Sequence, residues 1–370
     1  MHKIKIIAEN CTSCGLCVKE CSFLRINGTP GEISRAFLTG LSDNFDSIFH
    51  CNLCGLCQAV CPQNLGCQTA FLEIRKIIQN RLAQKGNSRS TLPEHSTICR
   101  YEAIGSSSLF SLYLIPDKAK SVFFPGCTLA ATRSTVTRKT YKYLQTIAPN
   151  MGIVLDCCSK PSHDIGLNSH FLQSMKKLTS RLIRHNVDTL VTACPSCYTT
   201  FAKYAPGLKT MTVYEMLAQH PPPFTIKHST TISIHDTCTS RYNSEIQESV
   251  RTLVKSTGAR LEEMKHSRSR AICCGEGASS AYLAPDFKNK WTDLRKKEAN
   301  GHRVITYCAG CSSSLAKTVS TTHLLDLLFD SEKALQHREK VTRSPFTYIS
   351  RLLLKKKLKK SVTAANGLKK

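Results

Sequence analysis

Between residues 119 and 332, short apolar runs rich in β-branched residues alternate with longer stretches whose apolar positions recur at helical spacing. The strand-like runs are "SVFF" (121–124), "GIVL" (152–155) and "TLVTA" (189–193), then "TISI" (231–234) and "RVITY" (303–307). Helix-like stretches such as "FLQSMKKLTSRLIRH" (171–185) and "DFKNKWTDLRKKEAN" (286–300) lie between them. Strands alternating with helices predict parallel α/β sheets, with ligands gathered at the C-terminal strand ends. The first 85 residues read differently, ending in the helical stretch "QTAFLEIRKIIQNRLAQK" (68–85). A Gly/Ser/Asn/Pro-rich segment, "GNSRSTLPEHS" (86–96), separates the two patterns and predicts a linker.

The α/β region repeats itself. Its first half carries Cys127, the pair Cys157–Cys158, and Cys194 with Cys197. Its second half carries Cys238, Cys273–Cys274, and Cys308 with Cys311. Corresponding cysteines are offset by 111, 116 and 114 residues, which marks a duplication. Each cysteine set follows strand-like runs, so each half predicts a small α/β unit with a cysteine cage at one sheet edge.

Composition adds chemistry to this pattern. Twenty cysteines stand in 370 residues. No stretch approaches 18 consecutive apolar residues, so no membrane-spanning helix is expected. "MHKIKIIAENC" lacks an apolar core of signal-peptide length, so the chain is expected to stay in the cytoplasm, where thiols are kept reduced. Dense cysteine there reads as metal ligation rather than disulfides. Two runs of the form C-x2-C-x2-C-x3-C open the chain: Cys11, Cys14, Cys17, Cys21 and Cys51, Cys54, Cys57, Cys61. In such runs three thiolates wrap one cubane while the fourth reaches the other cluster. The spacing therefore predicts one cluster on Cys11, Cys14, Cys17 and Cys61, and a second on Cys51, Cys54, Cys57 and Cys21. Gly15 and Gly55 permit close backbone approach. All-cysteine zinc sites are the alternative. Cys67 and Cys99 match no motif and read as ordinary thiols.

The formal net charge is +25, and from Lys340 to Lys370 there are ten basic residues and no acidic one. This segment, with "RLLLKKKLKK" (351–360), reads either as a solvated tail or as a peripheral membrane anchor whose leucines insert shallowly. No DNA-binding motif or aromatic-interleaved basic platform accompanies it, so a nucleic-acid partner is not expected.

The opening cysteine runs resemble ferredoxin modules with two 4Fe–4S clusters, and their flanks look like the α-helical type of respiratory iron–sulfur subunits. The repeat resembles the cysteine-rich CCG domain of heterodisulfide reductase and of the iron–sulfur subunits of glycolate oxidase and anaerobic glycerol-3-phosphate dehydrogenase. The matching patterns are C-x29-CC-x35-C-x2-C and C-x34-CC-x33-C-x2-C. The resemblance implies a multidomain chain, an α-helical ferredoxin module followed by two duplicated α/β CCG domains. Its expected parts are a ferredoxin domain (1–85), a linker (86–118), CCG domains at 119–224 and 225–332, and a basic tail (333–370). It also implies that Cys127, Cys157, Cys158, Cys194 and Cys197, and likewise Cys238, Cys273, Cys274, Cys308 and Cys311, hold one or two further clusters of a non-cubane 4Fe–4S kind. Ser159 stands where the second copy has Gly275, and a positive φ there would strain a serine.

Two functions follow from this. One is an electron-transfer oxidoreductase subunit, relaying electrons between the cubanes, the CCG clusters and a flavoprotein dehydrogenase or quinone-linked membrane partner. The other is a catalytic reductase that cleaves a disulfide substrate at Cys273 and Cys274. "HDTC" (235–238) places His235 and Asp236 beside a ligand, where they could tune a potential or pass a proton. His235 could equally be a hydrogen-bonded core histidine, and His163 with Asp164 is a weaker candidate of the same kind. No G-x-G-x-x-G loop is present, so a flavin or nicotinamide would belong to a partner.

Overall fold

The computed structural model describes residues 1–40, 45–84, 93–223 and 230–367. Its N-terminal part is helical: His2–Asn10, Leu16–Glu20, Ser22–Asn27, Pro30–Thr39 and Leu56–Ala59 lead into the long helix Cys67–Gln84. Phe23, Phe37, Phe49, Phe71 and Ile74 form its core, with cysteines of both runs packed against it. Gly15 and Gly55 cap the short helices inside the two runs at φ +76° and +74°, a conformation that costs glycine nothing.

Two sheets follow. The first contains β1 (Leu112–Leu114), β2 (Ser121–Phe124), β3 (Gly152–Leu155), β4 (Thr189–Thr192) and β5 (Lys209–Thr212). The second contains β6 (Thr231–His235), β7 (Arg260–Leu261), β8 (Arg303–Thr306) and β9 (Thr321–His323). Their orders are β1-β3-β2-β4-β5 and β7-β6-β8-β9, parallel throughout except for β1, which joins β3 antiparallel. Without β1 the two orders correspond strand for strand. The apolar runs named above form β2, β3, β4, β6 and β8. The remaining strands are short or polar, such as "KTMT" (209–212) and "TTH" (321–323), and carry no alternating signal.

The sheets lie against one another. A capping box between Thr212 and Glu215 starts the helix Val213–Gln219, which packs on Ser244–Ser256 of the second unit. One hydrophobic cluster, including Phe123, Ile153, Tyr214, Ile234 and Tyr307, runs through both units. The buried Arg133 closes the seam, its Nε 2.6 Å from Asp326 Oδ2 and its Nη2 2.7 Å from Ser312 Oγ.

Two expected boundaries change. The span 86–118 is not simply a linker: residues 86–92 lie outside the described ones, but Pro93–Ser106 is a helix and Leu112–Leu114 is a strand of the first sheet. Proline at the first helical position begins a helix as readily as it breaks one. The Glu102 carboxylate then anchors this helix by accepting the Ser162 N–H at 2.9 Å. Nor is the basic end a free tail. Thr347–Gly367 is a helix whose Leu354 and Leu358 are buried in the common core. The same turn buries Arg351, which donates to Gly105 O at 2.8 Å. These three positions share one helical face, a spacing that the surrounding lysines conceal.

Candidate metal centres

All twenty cysteines are described, and all are free thiols. In the helical part they form two adjacent groups. Cys11, Cys14, Cys17 and Cys61 line one small cavity, together with Cys57 and Cys67. Cys21, Cys51, Cys54 and Cys57 line the next. The second cavity thus draws three thiols from one run and a fourth from the other, while the first draws three from the first run and two, Cys57 and Cys61, from the second. Burial pushes the Cys17, Cys51 and Cys54 thiols up to about 12, so a metal entering these cages displaces protons. Cys67, which sequence spacing passes over, is buried in the first cavity wall and donates to Leu65 O at 3.3 Å.

Buried arginines join this part to the sheets. Arg75 donates to Ile48 O (2.7 Å) and Cys51 O (2.5 Å) on its own side and to Asp164 O (2.8 Å) in the first unit. Arg241 of the second unit donates to Cys54 O (3.0 Å) and Ala271 O (2.7 Å). Asn52, inside the second cysteine run, donates to Gly275 O at 3.2 Å and accepts from the single tryptophan, Trp291 Nε1, at 3.0 Å. The second cage therefore abuts the second cysteine-rich unit. Cys273 packs in a small apolar cluster with Leu56, Ile272 and Trp291, against Cys21, Cys54 and Cys238.

In both sheets the cysteines stand at the C-terminal strand ends, where open parallel sheets build their sites. Cys127 follows β2 and Cys238 follows β6. Cys194 and Cys308 close β4 and β8, with Cys197 and Cys311 in the next helices. The paired cysteines turn alike. Ser159 N–H lies 3.5 Å from Cys157 Sγ, and Gly275 N–H lies 3.2 Å from Cys273 Sγ. Both turn residues have positive φ, +54° for Ser159 and +88° for Gly275. A Cβ on Gly275 would meet Lys288 Cα at 2.9 Å, whereas serine is accommodated at 159.

Both five-cysteine sets open on one cavity of about 610 Å³. All five cysteines of the first set and Cys238, Cys274, Cys308 and Cys311 of the second line it. Tyr214 holds the two sets together: its hydroxyl lies 2.9 Å from Ala193 O and 2.7 Å from Tyr307 O, the carbonyls preceding Cys194 and Cys308. Cys194 and Cys308 are in hydrogen-bonding reach of each other across this seam. Hydrogen bonds from Cys273 and Cys311 draw the Cys274 thiol down to about 5. The cavity wall also includes Tyr101, Tyr282 and Lys160, whose Nζ pairs with Asp164 at 2.7 Å.

Of the three residues expected to act in catalysis, only Cys274 faces this cavity. Cys273 turns toward Cys238 and Trp291, and His235 is wholly enclosed. Burial, then the Arg295 guanidinium, holds the His235 ring far below the ordinary histidine range. Asp236 gives it no relay, because its carboxylate is taken by Arg251 (2.8 and 3.1 Å), the Arg268 N–H and the Tyr307 hydroxyl. His163 is the hydrogen-bonded kind, with Nδ1 2.8 Å from Asp164 and Nε2 2.8 Å from Tyr204.

With this geometry in hand, comparisons with known proteins agree on the class. Residues 7–65 match the 4Fe-4S dicluster domain, and residues 121–202 and 232–316 each match the cysteine-rich domain. The chain belongs to the iron–sulfur proteins that join a 4Fe-4S dicluster domain to cysteine-rich CCG domains. It is similar to an iron–sulfur protein of Methanococcus maripaludis, 21% identical over 344 residues covering 82% of this chain and 66% of that protein. It is also similar to one component of the dihydromethanophenazine:CoB–CoM heterodisulfide reductase of Methanosarcina mazei, 22% identical over 79% of this chain and 83% of that component. A component of the fumarate reductase (CoM/CoB) of Methanothermobacter marburgensis is 23% identical over 76% of this chain, which spans 59% of that component. The thiol cages fit the group this class implies: the dicluster domain holds two 4Fe–4S clusters, and the protein is an iron–sulfur redox protein.

Proposed function

We propose that this chain is the iron–sulfur component of a reductase that takes electrons from a flavoprotein dehydrogenase or quinone-linked membrane partner and delivers them to a disulfide. The observation that carries this reading is the single cavity shared by both five-cysteine sets. A relay alone needs a line of separate buried sites, whereas here both sets would hold their clusters at the wall of one common chamber, where one substrate would meet both. Relatives named as subunits of heterodisulfide and fumarate reductases support a place in a redox complex.

In this reading Cys11, Cys14, Cys17 and Cys61 hold one 4Fe–4S cluster, and Cys51, Cys54, Cys57 and Cys21 hold the other. The two five-cysteine sets, in units related by duplication, hold further clusters. When bound, these groups supply one-electron steps at potentials set by charge, hydrogen bonding and solvent access. The chain's own residues arrange the rest. Leu56 and Trp291 exclude water between the second cage and Cys273, while Arg241 fixes that junction. Tyr214 keeps Cys194 beside Cys308, so a substrate meets both sets at once. The overall change is one disulfide, two electrons and two protons giving two thiols. Any membrane contact falls to the outer face of the C-terminal helix, where Leu353, Lys356, Lys357, Lys359 and Lys360 remain exposed.

The test is to mix the anaerobically reduced full chain with a small disulfide. The expected result is thiol release together with a changed spectrum of the CCG signals, both lost in Cys308→Ser while the cubane signals persist. A chain that reduces a dye acceptor but leaves disulfides and those signals untouched is a relay only, and the chamber reading falls.

A further inference from the structure

His235 ends β6 with its ring fully buried, and neither Nδ1 nor Nε2 has a hydrogen-bond partner among the described residues. Buried polar atoms are rarely left without a partner, so an imidazole with two orphaned nitrogens calls for a missing one. The other enclosed histidines keep at least one bond: His163 is bonded at both nitrogens, and His323 accepts the Leu325 N–H at Nδ1, with Nε2 unpartnered among the described residues. A ring nitrogen of His235, Cys274 Sγ and Cys311 Sγ all lie within 4.8 Å of one another. Ligands of one tetrahedral ion, with bonds of about 2.0–2.3 Å, sit only a little closer together than this.

We propose that His235 is a metal ligand, supplying an imidazole nitrogen to the same iron that Cys274 and Cys311 hold in the second cysteine-rich unit. The proposal rests on the preceding reading, because it needs an iron–sulfur group among these cysteines. It makes the two units chemically unequal. At the matching place in the first unit, 111 residues earlier, stands Phe124, which is buried and has no donor atom. The first set is therefore all sulfur, and the second mixes nitrogen and sulfur. Both sets keep five thiolates, so the imidazole adds a neutral nitrogen donor to the second and gives its iron a ligand that the first set lacks.

Pulsed EPR on the full, anaerobically purified chain tests this, with natural-abundance histidine compared against 15N-histidine. The signal to examine is the one that Cys238→Ser removes. The expected result is a strong nitrogen coupling that changes isotope with the labelled histidine and vanishes in His235→Gln. A signal with no histidine nitrogen, or a coupling that survives in His235→Gln, overturns the ligation and leaves the chamber reading standing. Iron content of only roughly eight atoms per chain, the two cubanes alone, removes both, and the iron count shows that before any spectrum is taken.

Discussion

Basic residues stand beside the thiol groups, buried Arg75 by Cys51, Arg241 by Cys54, Arg295 by Cys274 and Cys311 and Arg351 by Cys127, and half-buried Lys160 by Cys158. Part of the basic excess thus sits inside, against sites that become anionic once thiolates bind iron. Arg75 also ties two parts of the chain, and Arg75→Met would strand the buried carbonyls of Ile48, Cys51 and Asp164. Its expected cost is on the order of 3 kcal/mol or more, read from denaturant unfolding of the loaded protein. The paired-cysteine turns give a second comparison. Gly275→Ala combines a left-handed alanine with a clash at Lys288 and is expected to lose about 2 kcal/mol, along with iron from the second set. Ser159→Gly relieves the first turn and should leave the iron content unchanged. The cysteine groups were legible because their spacing recurs along the chain. Arg75, Arg241 and Tyr214 were not, because their partners lie far away in sequence and no spacing announces them.

At the scale of elements, the C-terminal helix differs most from what its composition suggests. Its charge reads as solvated tail, yet Leu354 and Leu358 are buried in the core common to both units. Leu354→Ala should destabilise the chain by about 2–5 kcal/mol, measured by chemical denaturation. Membrane contact must then be tested without deleting the helix. Converting Lys356, Lys357, Lys359 and Lys360 to glutamine keeps the buried face intact, and should abolish salt-sensitive sedimentation with anionic vesicles. Sedimentation that does not change would remove the lysine face as the contact. The strands β2, β3, β4, β6 and β8 were readable from apolar runs buried on both faces. The helix at Pro93 was hidden by a proline that serves equally as a linker residue and as a helix start.

At the scale of the molecule, the order of sites is a consequence of docking. The helical part sits so that Cys54 meets Cys238 and Cys273, and the two sheets meet so that their cysteine edges enclose one chamber. The two cysteine-rich domains were visible in the sequence, but the common chamber was not, since each repeat read alone predicts only its own cage. Everything proposed for the chamber requires that the five-cysteine sets carry iron. Iron and acid-labile sulfide per chain, determined on anaerobically purified protein, measure that directly. The expected content is well above the roughly eight irons of two cubanes, falling toward that number when Cys158 and Cys274 are both changed to serine. A content near eight in the unaltered chain, with cubane signals alone, would contradict it.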